Sequence, residues 1–276
     1  MNKSFQALCA RLQAAGVPDA RFDAAQLYRF VTGRDPRLDD GPDEEEARRL
    51  EELAARRAAR EPLQYLLGEW DFLDFTLKVG PGVLCPRADS EVVCETAAEL
   101  LQGKQAPVVL DLCAGTGCLG LGVARACPGA QVTCVEKSEA AWPYLVENTA
   151  GTGVRTVQAD VFCWYRALAP ESVDLIISNP PYLTGEEMES LMPETAHEPA
   201  LALDGGPDGL DFYRLFTEHY AVVLRPGGWL VLEIGCAQAD EVLALGSRCG
   251  WQHGRCCKDY GGNDRVIVLQ KPEKIR

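Results

Sequence analysis

The stretch Val108-Val109-Leu110-Asp111-Leu112-Cys113-Ala114-Gly115-Thr116-Gly117-Cys118-Leu119-Gly120 decides the fold. A short apolar run feeds a glycine turn and then a helical pattern, and Gly115, Gly117 and Gly120 satisfy G-x-G-x-x-G. Glycines so placed let the backbone approach a ligand and let strand and helix pack closely. Glu136 ends the next apolar stretch, 19 residues after Gly117, where a carboxylate can accept hydrogen bonds from both hydroxyls of a ribose.

Outward from that loop, strand-like segments alternate with helical ones. Strands are predicted at 107–112, 131–136, 154–158, 173–178 and 228–234, with helices at 117–127, 138–149, 208–224 and 238–249. The order predicts an α/β fold with a doubly wound, Rossmann-like sheet. Strands at 251–257 and 265–270 add a C-terminal antiparallel hairpin. Segment 183–207 shows little periodicity and exceeds a typical connection, so it reads as a substrate lid.

Residues 4 to 68 have a different character. Apolar positions such as Leu8, Leu12 and Ala15 recur at three and four, and a charged helix runs from Asp43 to Arg60. Residues 70–79 alternate and meet Gly80-Pro81-Gly82, which predicts a β-hairpin turning there. The expected domains are a small N-terminal helical domain at 1–69 that docks a substrate, a hairpin linker at 70–86 and the catalytic domain at 87–276.

The 276 residues are 47% hydrophobic and 25% charged, which excludes collagenous and wholly disordered classes. The net charge is −14, of which the first 80 residues carry −3 and the remainder −11. Such a charge disfavours non-specific attraction to nucleic acid or to an anionic membrane, so neither partner is expected. Arg11 interrupts the opening apolar stretch and nowhere do 18 apolar residues run together, which predicts a cytoplasmic protein. The 12 cysteines lack a regular spacing, and Cys94, Cys134 and Cys236 lie in apolar stretches; most read as reduced core residues, with Cys256 and Cys257 as neighbours in a strand. With three histidines and no C-x-x-C pair, no metal site is expected.

The spacing of the glycine loop and Glu136 does not separate NAD from S-adenosyl-L-methionine, because both present an adenosine. Asp111 tilts the choice. An anion at the strand's carboxyl end suits a ligand carrying an ammonium and a sulfonium and repels a pyrophosphate. Asp160, after the strand at 154–158, reads equally as an acceptor for the adenine amino group or as a helix cap, with Val161 against the ring.

Asp174-Leu175-Ile176-Ile177-Ser178-Asn179-Pro180-Pro181-Tyr182 carries the chemistry. A buried strand ends in an amide, two prolines and a phenol. The prolines fix the turn, so that Asn179 and the Pro180 carbonyl stand at the carboxyl edge of the sheet as rigid acceptors. Two acceptors match the two N–H bonds of a planar NH2 group, and Tyr182 can stack on its plane. The predicted substrate is an amide or aryl amine, and the predicted reaction is methylation of its nitrogen by positioning rather than by a strong base.

These residues resemble peptide chain release factor glutamine methyltransferases. The likeness includes Glu61 to Glu69, Val83-Leu84-Cys85-Pro86-Arg87, Asp111 to Gly117, Asn179 to Tyr182, Glu198-Pro199, Gly205 to Tyr213 and Asp259 to Arg265. The resemblance implies a class I methyltransferase domain that takes S-adenosyl-L-methionine and yields S-adenosyl-L-homocysteine. It implies contacts to that cofactor from Cys113, Ala114, Gly115, Thr116, Gly117, Glu136, Val161 and Asn179, and a grip on the substrate glutamine by Asn179, Pro180, Pro181 and Tyr182. The acceptor would be the glutamine of the Gly-Gly-Gln motif of class-I release factors, met by a monomer whose helical domain helps dock them. Three departures stand out: Ala88 where family members carry a second proline, His197 where an aromatic commonly precedes Glu-Pro, and a short turn at Gly151-Thr152-Gly153.

Asn-Pro-Pro-Tyr is shared with amino-methyltransferases of adenine or guanine in RNA and DNA, which remain the alternative with the same chemistry. An NAD-dependent oxidoreductase leaves Asn179 to Tyr182 without a use, and a nonenzymatic binding protein predicts damage to Asp111, Glu136 or Asn179.

Overall fold

The computed structural model describes residues 2–273; the outermost residues of the expected first and last domains, 1 and 274–276, lie outside the described residues. The chain divides into two compact units, one made of Met1–Trp70, Val79–Pro81 and Leu191–His197, the other of Asp71–Lys78, Gly82–Ser190 and Glu198–Arg276.

The first unit contains helices α1 (Lys3–Ala14), α2 (Ala20–Thr32), α3 (Glu44–Ala58) and α4 (Leu63–Leu67). Asn2 caps α1 by accepting from the Ser4 and Phe5 N–H groups, and Asp43 with Glu46 forms a reciprocal capping box on α3. Their apolar stripes meet in a core of Leu8, Leu12, Leu27, Tyr28 and Leu53. Inside it, Arg57 donates from Nε to Asp23 at 2.7 Å, and both side chains are buried. Glu194 is held in the same unit by Arg57 at 2.8 Å and by a two-pronged contact from Arg60 at 2.6 Å.

Strand β1 (Glu69–Phe72) and strand β2 (Phe75–Lys78) form the hairpin. Its turn falls at Leu73-Asp74, not at the expected Gly80-Pro81-Gly82. Leu73 adopts the left-handed region with φ of 52° and makes the turn without a glycine, so the alternation of residues 70–79 hid it. The chain leaves the first unit at Trp70, inside β1.

The second unit holds α5 (Glu91–Leu100), β3 (Val108–Leu112), α6 (Cys118–Ala126), β4 (Gln131–Glu136), α7 (Trp142–Thr149), β5 (Arg155–Gln158), α8 (Val161–Trp164), β6 (Val173–Ser178), α9 (Gly185–Glu189), α10 (Asp211–His219), β7 (Leu224–Glu233), α11 (Ala239–Arg248), β8 (Gln252–Lys258) and β9 (Asp264–Gln270). The seven-stranded sheet runs β5-β4-β3-β6-β7-β9-β8. Its first five strands are parallel, and β9 and β8 close it as the expected antiparallel hairpin. This is the doubly wound α/β fold, with its switch point between β3 and β6. All six residues of β6 are buried, as befits a central parallel strand covered on both faces.

The structure adds two features and changes one expectation. No element was expected at 91–100, where α5 forms and buries Val92, Val93, Cys94, Thr96 and Ala97. The segment 183–207 is structured: Thr184 caps α9 by a capping box, and the Leu183 N–H to Leu203 and Gly205 N–H to Leu183 bonds, both 2.9 Å, draw its two ends together. Of the 12 cysteines, all free, only Cys85, Cys94 and Cys134 are buried, and Cys236 is exposed, which overturns the reading of most as core. Among the described residues, no helix is long and apolar enough to cross a membrane.

Candidate active site

The register Leu112↔Ser178 between β3 and β6 brings the glycine loop beside the Asn179 turn, and the Ser178 hydroxyl fastens the two strand ends by donating to the Leu112 carbonyl at 2.6 Å. A cavity opens at this carboxyl edge. Its lining includes Asp111, the loop from Cys113 to Thr116, Glu136, Asp160, Val161, Asn179 and Pro181, so the expected cofactor residues converge apart from Gly117. Gly117 instead starts α6 with φ of 83°.

Asp111 lies beneath the loop, 1% exposed. Its Oδ2 accepts from the Gly120 N–H at 2.8 Å, which ties the start of α6 to β3. A Cβ on Gly120 would lie 3.0 Å from that oxygen and would collide with the Cys134 sulfur, so the third glycine of the motif is a packing requirement. The other oxygen, Oδ1, is buried with no partner among the described residues. Burial pushes the carboxyl up to about 7, against the pull of the Gly120 N–H and the Cys134 thiol, with the Glu136 charge adding to the rise. An orphan carboxylate oxygen on a cavity wall calls for a cation, and the ammonium of S-adenosyl-L-methionine fits that demand.

Glu136 accepts from the Gly115 N–H at 2.8 Å and the Ser138 N–H at 2.6 Å, so it shapes the loop while keeping second lone pairs for ribose hydroxyls. Asp160 caps α8 through the Phe162 N–H at 2.9 Å and pairs with Lys137 at 2.8 Å. Burial would raise its carboxyl, but Lys137 and the N–H bond outweigh it and hold the group below the ordinary range. Its capping reading is realised, and it faces the cavity as well.

Asn179 is half-buried, and its Nδ2 donates to the Ser90 hydroxyl at 3.4 Å. Pro180 is buried, and neither it nor Tyr182 is part of the cavity lining. The Tyr182 carbonyl accepts from Gln238 Nε2 at 3.0 Å. Burial and the nearby Glu233 charge push its phenol up to about 12, with Arg265 and Arg87 opposing, so it remains neutral. Gly205 packs against this turn: a Cβ there would stand 2.7 Å from Tyr182 Cα and 2.9 Å from the Pro181 carbonyl oxygen.

Several site residues escaped the sequence reading. Glu198 is buried, accepts from the Cys85 N–H at 3.0 Å and pairs with Arg87 at 2.6 Å, and thereby holds the cavity wall at 82–86. Ser90, Phe162, Phe212 and Pro199 also line the cavity. Glu198-Pro199 and Gly205 to Tyr213 carried the family likeness, which was the available signal for them. Gln238 and Glu233 had none.

Three thiols, Cys85, Cys113 and Cys118, line the same cavity. Desolvation by the surrounding protein raises all three, the half-buried Cys118 to about 12 and buried Cys85 and half-buried Cys113 well above the ordinary thiol value. They stay protonated at neutral pH and are poor nucleophiles, which matters in a pocket suited to an alkylating ligand. The lone His197 of the Glu-Pro motif is exposed.

Known proteins follow the same outline. Residues 5–68 match the PrmC N-terminal domain family and residues 76–204 the methyltransferase small domain family. The chain is similar to the release factor glutamine methyltransferase of Geobacter sulfurreducens, 40% identical over 93% of this chain and 91% of that one. A relative of the same name from Cereibacter sphaeroides is 37% identical over 98% of each chain. A solved structure, the release-factor-specific protein-(glutamine-N5) methyltransferase of Alicyclobacillus acidocaldarius, is 32% identical and covers 71% of this chain and 99% of its own, with a TM-score of 0.45.

Proposed function

This chain belongs to the release factor glutamine methyltransferase family, and we propose that it transfers a methyl group from S-adenosyl-L-methionine to the side-chain amide nitrogen of the glutamine in the Gly-Gly-Gln motif of class-I peptide chain release factors. The observation that carries the reading is Asn179, held at the switch-point edge beside a cavity whose wall bears the orphan Asp111 oxygen.

The cofactor supplies an electrophilic methyl on a sulfonium. Asp111 Oδ1 would hold its ammonium and Glu136 its ribose hydroxyls, with Val161 and Phe162 lining the place of the adenine. Asn179 Oδ1 and the Pro180 carbonyl accept the two N–H bonds of the substrate amide, and Tyr182 lies against its plane. An amide nitrogen is a weak nucleophile because its lone pair is delocalised, so fixing both N–H bonds in space, with the lone pair aimed at the methyl, does most of what the residues can do. The positive charge that would develop on nitrogen, as its bond to the methyl forms and the bond from sulfur to that methyl breaks, would lie beside the Asn179 and Pro180 oxygens, which favour it. One proton would then pass from the nitrogen to water, and the sulfur would keep the S–C electron pair as the thioether of S-adenosyl-L-homocysteine. The helical domain at 1–69 helps dock the release factor, and the protein acts as a cytoplasmic monomer.

The alternative acceptor, an adenine or guanine amine of RNA or DNA, needs a basic groove, and the charge of −11 beyond residue 80 disfavours one. The test is methyl transfer from radiolabelled S-adenosyl-L-methionine to a purified release factor, beside the same factor with its Gly-Gly-Gln glutamine changed to alanine. Label on the first alone is expected. Label on neither, with the cofactor still bound, sinks the substrate assignment, and label on RNA or DNA favours the alternative.

A further inference from the structure

We propose that Gln238 is a positioning residue for methyl transfer, whose carboxamide holds the turn from Asn179 to Tyr182 in place by gripping the Tyr182 carbonyl. The inference rests on the amide-methylating reading of the site and goes beyond it.

A turn made of Asn179, Pro180, Pro181 and Tyr182 offers few handles. Its two prolines carry no N–H, so that part of the backbone can be hydrogen-bonded only through carbonyls. Gln238 Nε2 donates to the Tyr182 carbonyl at 3.0 Å and to the Gly209 carbonyl at 3.3 Å. At the other end of the same amide, Gln238 Oε1 accepts from the Gly235 N–H at 2.9 Å. It also accepts from the Tyr213 hydroxyl at 3.4 Å, a proton that Tyr213 shares with the Glu233 carbonyl at 3.0 Å. Two donated and two accepted bonds use the whole capacity of the carboxamide, and only one of its two orientations satisfies all four partners. That orientation aims the donors at the turn.

Three segments therefore meet on one side chain: the turn after β6, the stretch ahead of α10 and the end of β7. Their approach is close enough to require glycine. Gly209 has φ of 72°, and a Cβ on it would collide with the Tyr182 carbonyl oxygen, while a Cβ on Gly235 would lie 3.0 Å from Gln238 Oε1 and 3.4 Å from Tyr182 Cδ2. Gln238 occupies the N-cap position of α11, yet its side chain makes no capping bond there. Ser, Thr, Asp or Asn would serve the helix better, so the glutamine is spent on the turn instead. Gln238 is not part of the cavity lining, so its influence on the reaction passes through the Tyr182 carbonyl rather than through the cofactor.

The test compares wild type with Q238E and Q238M. It reads kcat and KM for the release factor against pH at saturating cofactor, affinity for S-adenosyl-L-homocysteine, and the carbonyl 13C signal of Tyr182 in the free protein. Ionised, the Q238E side chain accepts as before but sets an oxygen against the Tyr182 carbonyl; protonated, it donates there as the amide does. The titratable and charged groups around Tyr213, namely Tyr182, Glu233 and Arg265, are common to wild type and variant, so the ratio of their kcat values isolates the new carboxyl. At about pH 8 both variants should lower kcat by roughly 10- to 100-fold, with KM and affinity for S-adenosyl-L-homocysteine held within about threefold, and both should shift the Tyr182 signal. On acidification the Q238E ratio should climb by up to about tenfold per pH unit and its Tyr182 signal should move back toward wild type, whereas Q238M recovers neither. A purely structural loss would depress both variants alike at every pH. Wild-type kcat in Q238M, or a Q238E deficit indifferent to pH, overturns the proposal. Should Q238E fold poorly, Q238M carries the loss of kcat and the shifted signal. A wild type that labels no release factor fails the acceptor reading instead, and the Tyr182 signal still decides whether Gln238 holds the turn: unmoved in Q238M, it overturns the proposal.

Discussion

Asp111 shows how much one buried carboxylate decides. One oxygen builds the fold by tethering Gly120, while the other is buried with no partner among the described residues. Its folded pKa of about 7 lies above the ordinary 3.8, so between those values the folded chain keeps a proton that the unfolded chain has lost. Stability should accordingly fall as pH rises through that window, and Glu233, also raised to about 7, acts in the same direction. Binding of an ammonium runs the other way, because it favours the ionised form. Affinity for S-adenosyl-L-homocysteine, measured by calorimetry, should climb by up to about tenfold per pH unit below 7 and level off above it. Asp111→Asn should flatten that slope and weaken binding by about 1–3 kcal/mol at pH 8. An unchanged slope in the variant would mean that the ammonium sits elsewhere.

Among elements, the contact that matters most is between the segment ending at Gly205 and the turn after β6. The wall that a Cβ on Gly205 meets is backbone, at Tyr182 Cα and the Pro181 carbonyl, and backbone cannot swing aside as a side-chain tip can. Gly205→Ala should therefore shift the Asn179 turn by a fraction of an ångström. We expect kcat to drop by about 100-fold, with affinity for S-adenosyl-L-homocysteine held within about threefold, and wild-type turnover would show that the turn tolerates the displacement. Such a dependence also explains what could be read from the sequence. Strands β3 and β6 announced themselves by apolar runs that stop at a glycine turn and at paired prolines, and both chemical motifs sit on those stops. Gly205 was visible only as part of a likeness, since its reason for being glycine lies in a contact with a distant turn. Glu233 closed an apolar strand without any local mark, because its burial, which raises its carboxyl, and the Arg265 charge that opposes the rise come from partners far along the chain such as β9. The β1–β2 turn was missed for the opposite reason: Leu73 does locally what a glycine usually does.

At the scale of the whole molecule, the helical unit and the sheet unit depend on different forces. The first keeps a buried ion pair, Arg57 with Asp23, in its core, and burial outweighs the arginine to leave the Asp23 carboxyl raised. Arg57→Ala would strand that carboxyl and also take one partner from Glu194. A loss of about 3–5 kcal/mol is expected, seen as faster amide exchange across α2 and α3, with cofactor affinity unaltered. Equal protection in the variant would mean that the pair contributes nothing net. The second unit carries most of the −14 charge. Charge of this size acts on encounter more than on the bound complex, and salt screens it over about 8 Å at physiological ionic strength. For a release factor with a basic face, kcat/KM should therefore fall by about tenfold between low and high salt, while kcat at saturation moves by less than about twofold. The two constants separate the explanations. If both fall together, salt is disturbing the site itself, and if neither falls, the acidic surface has no part in finding the partner.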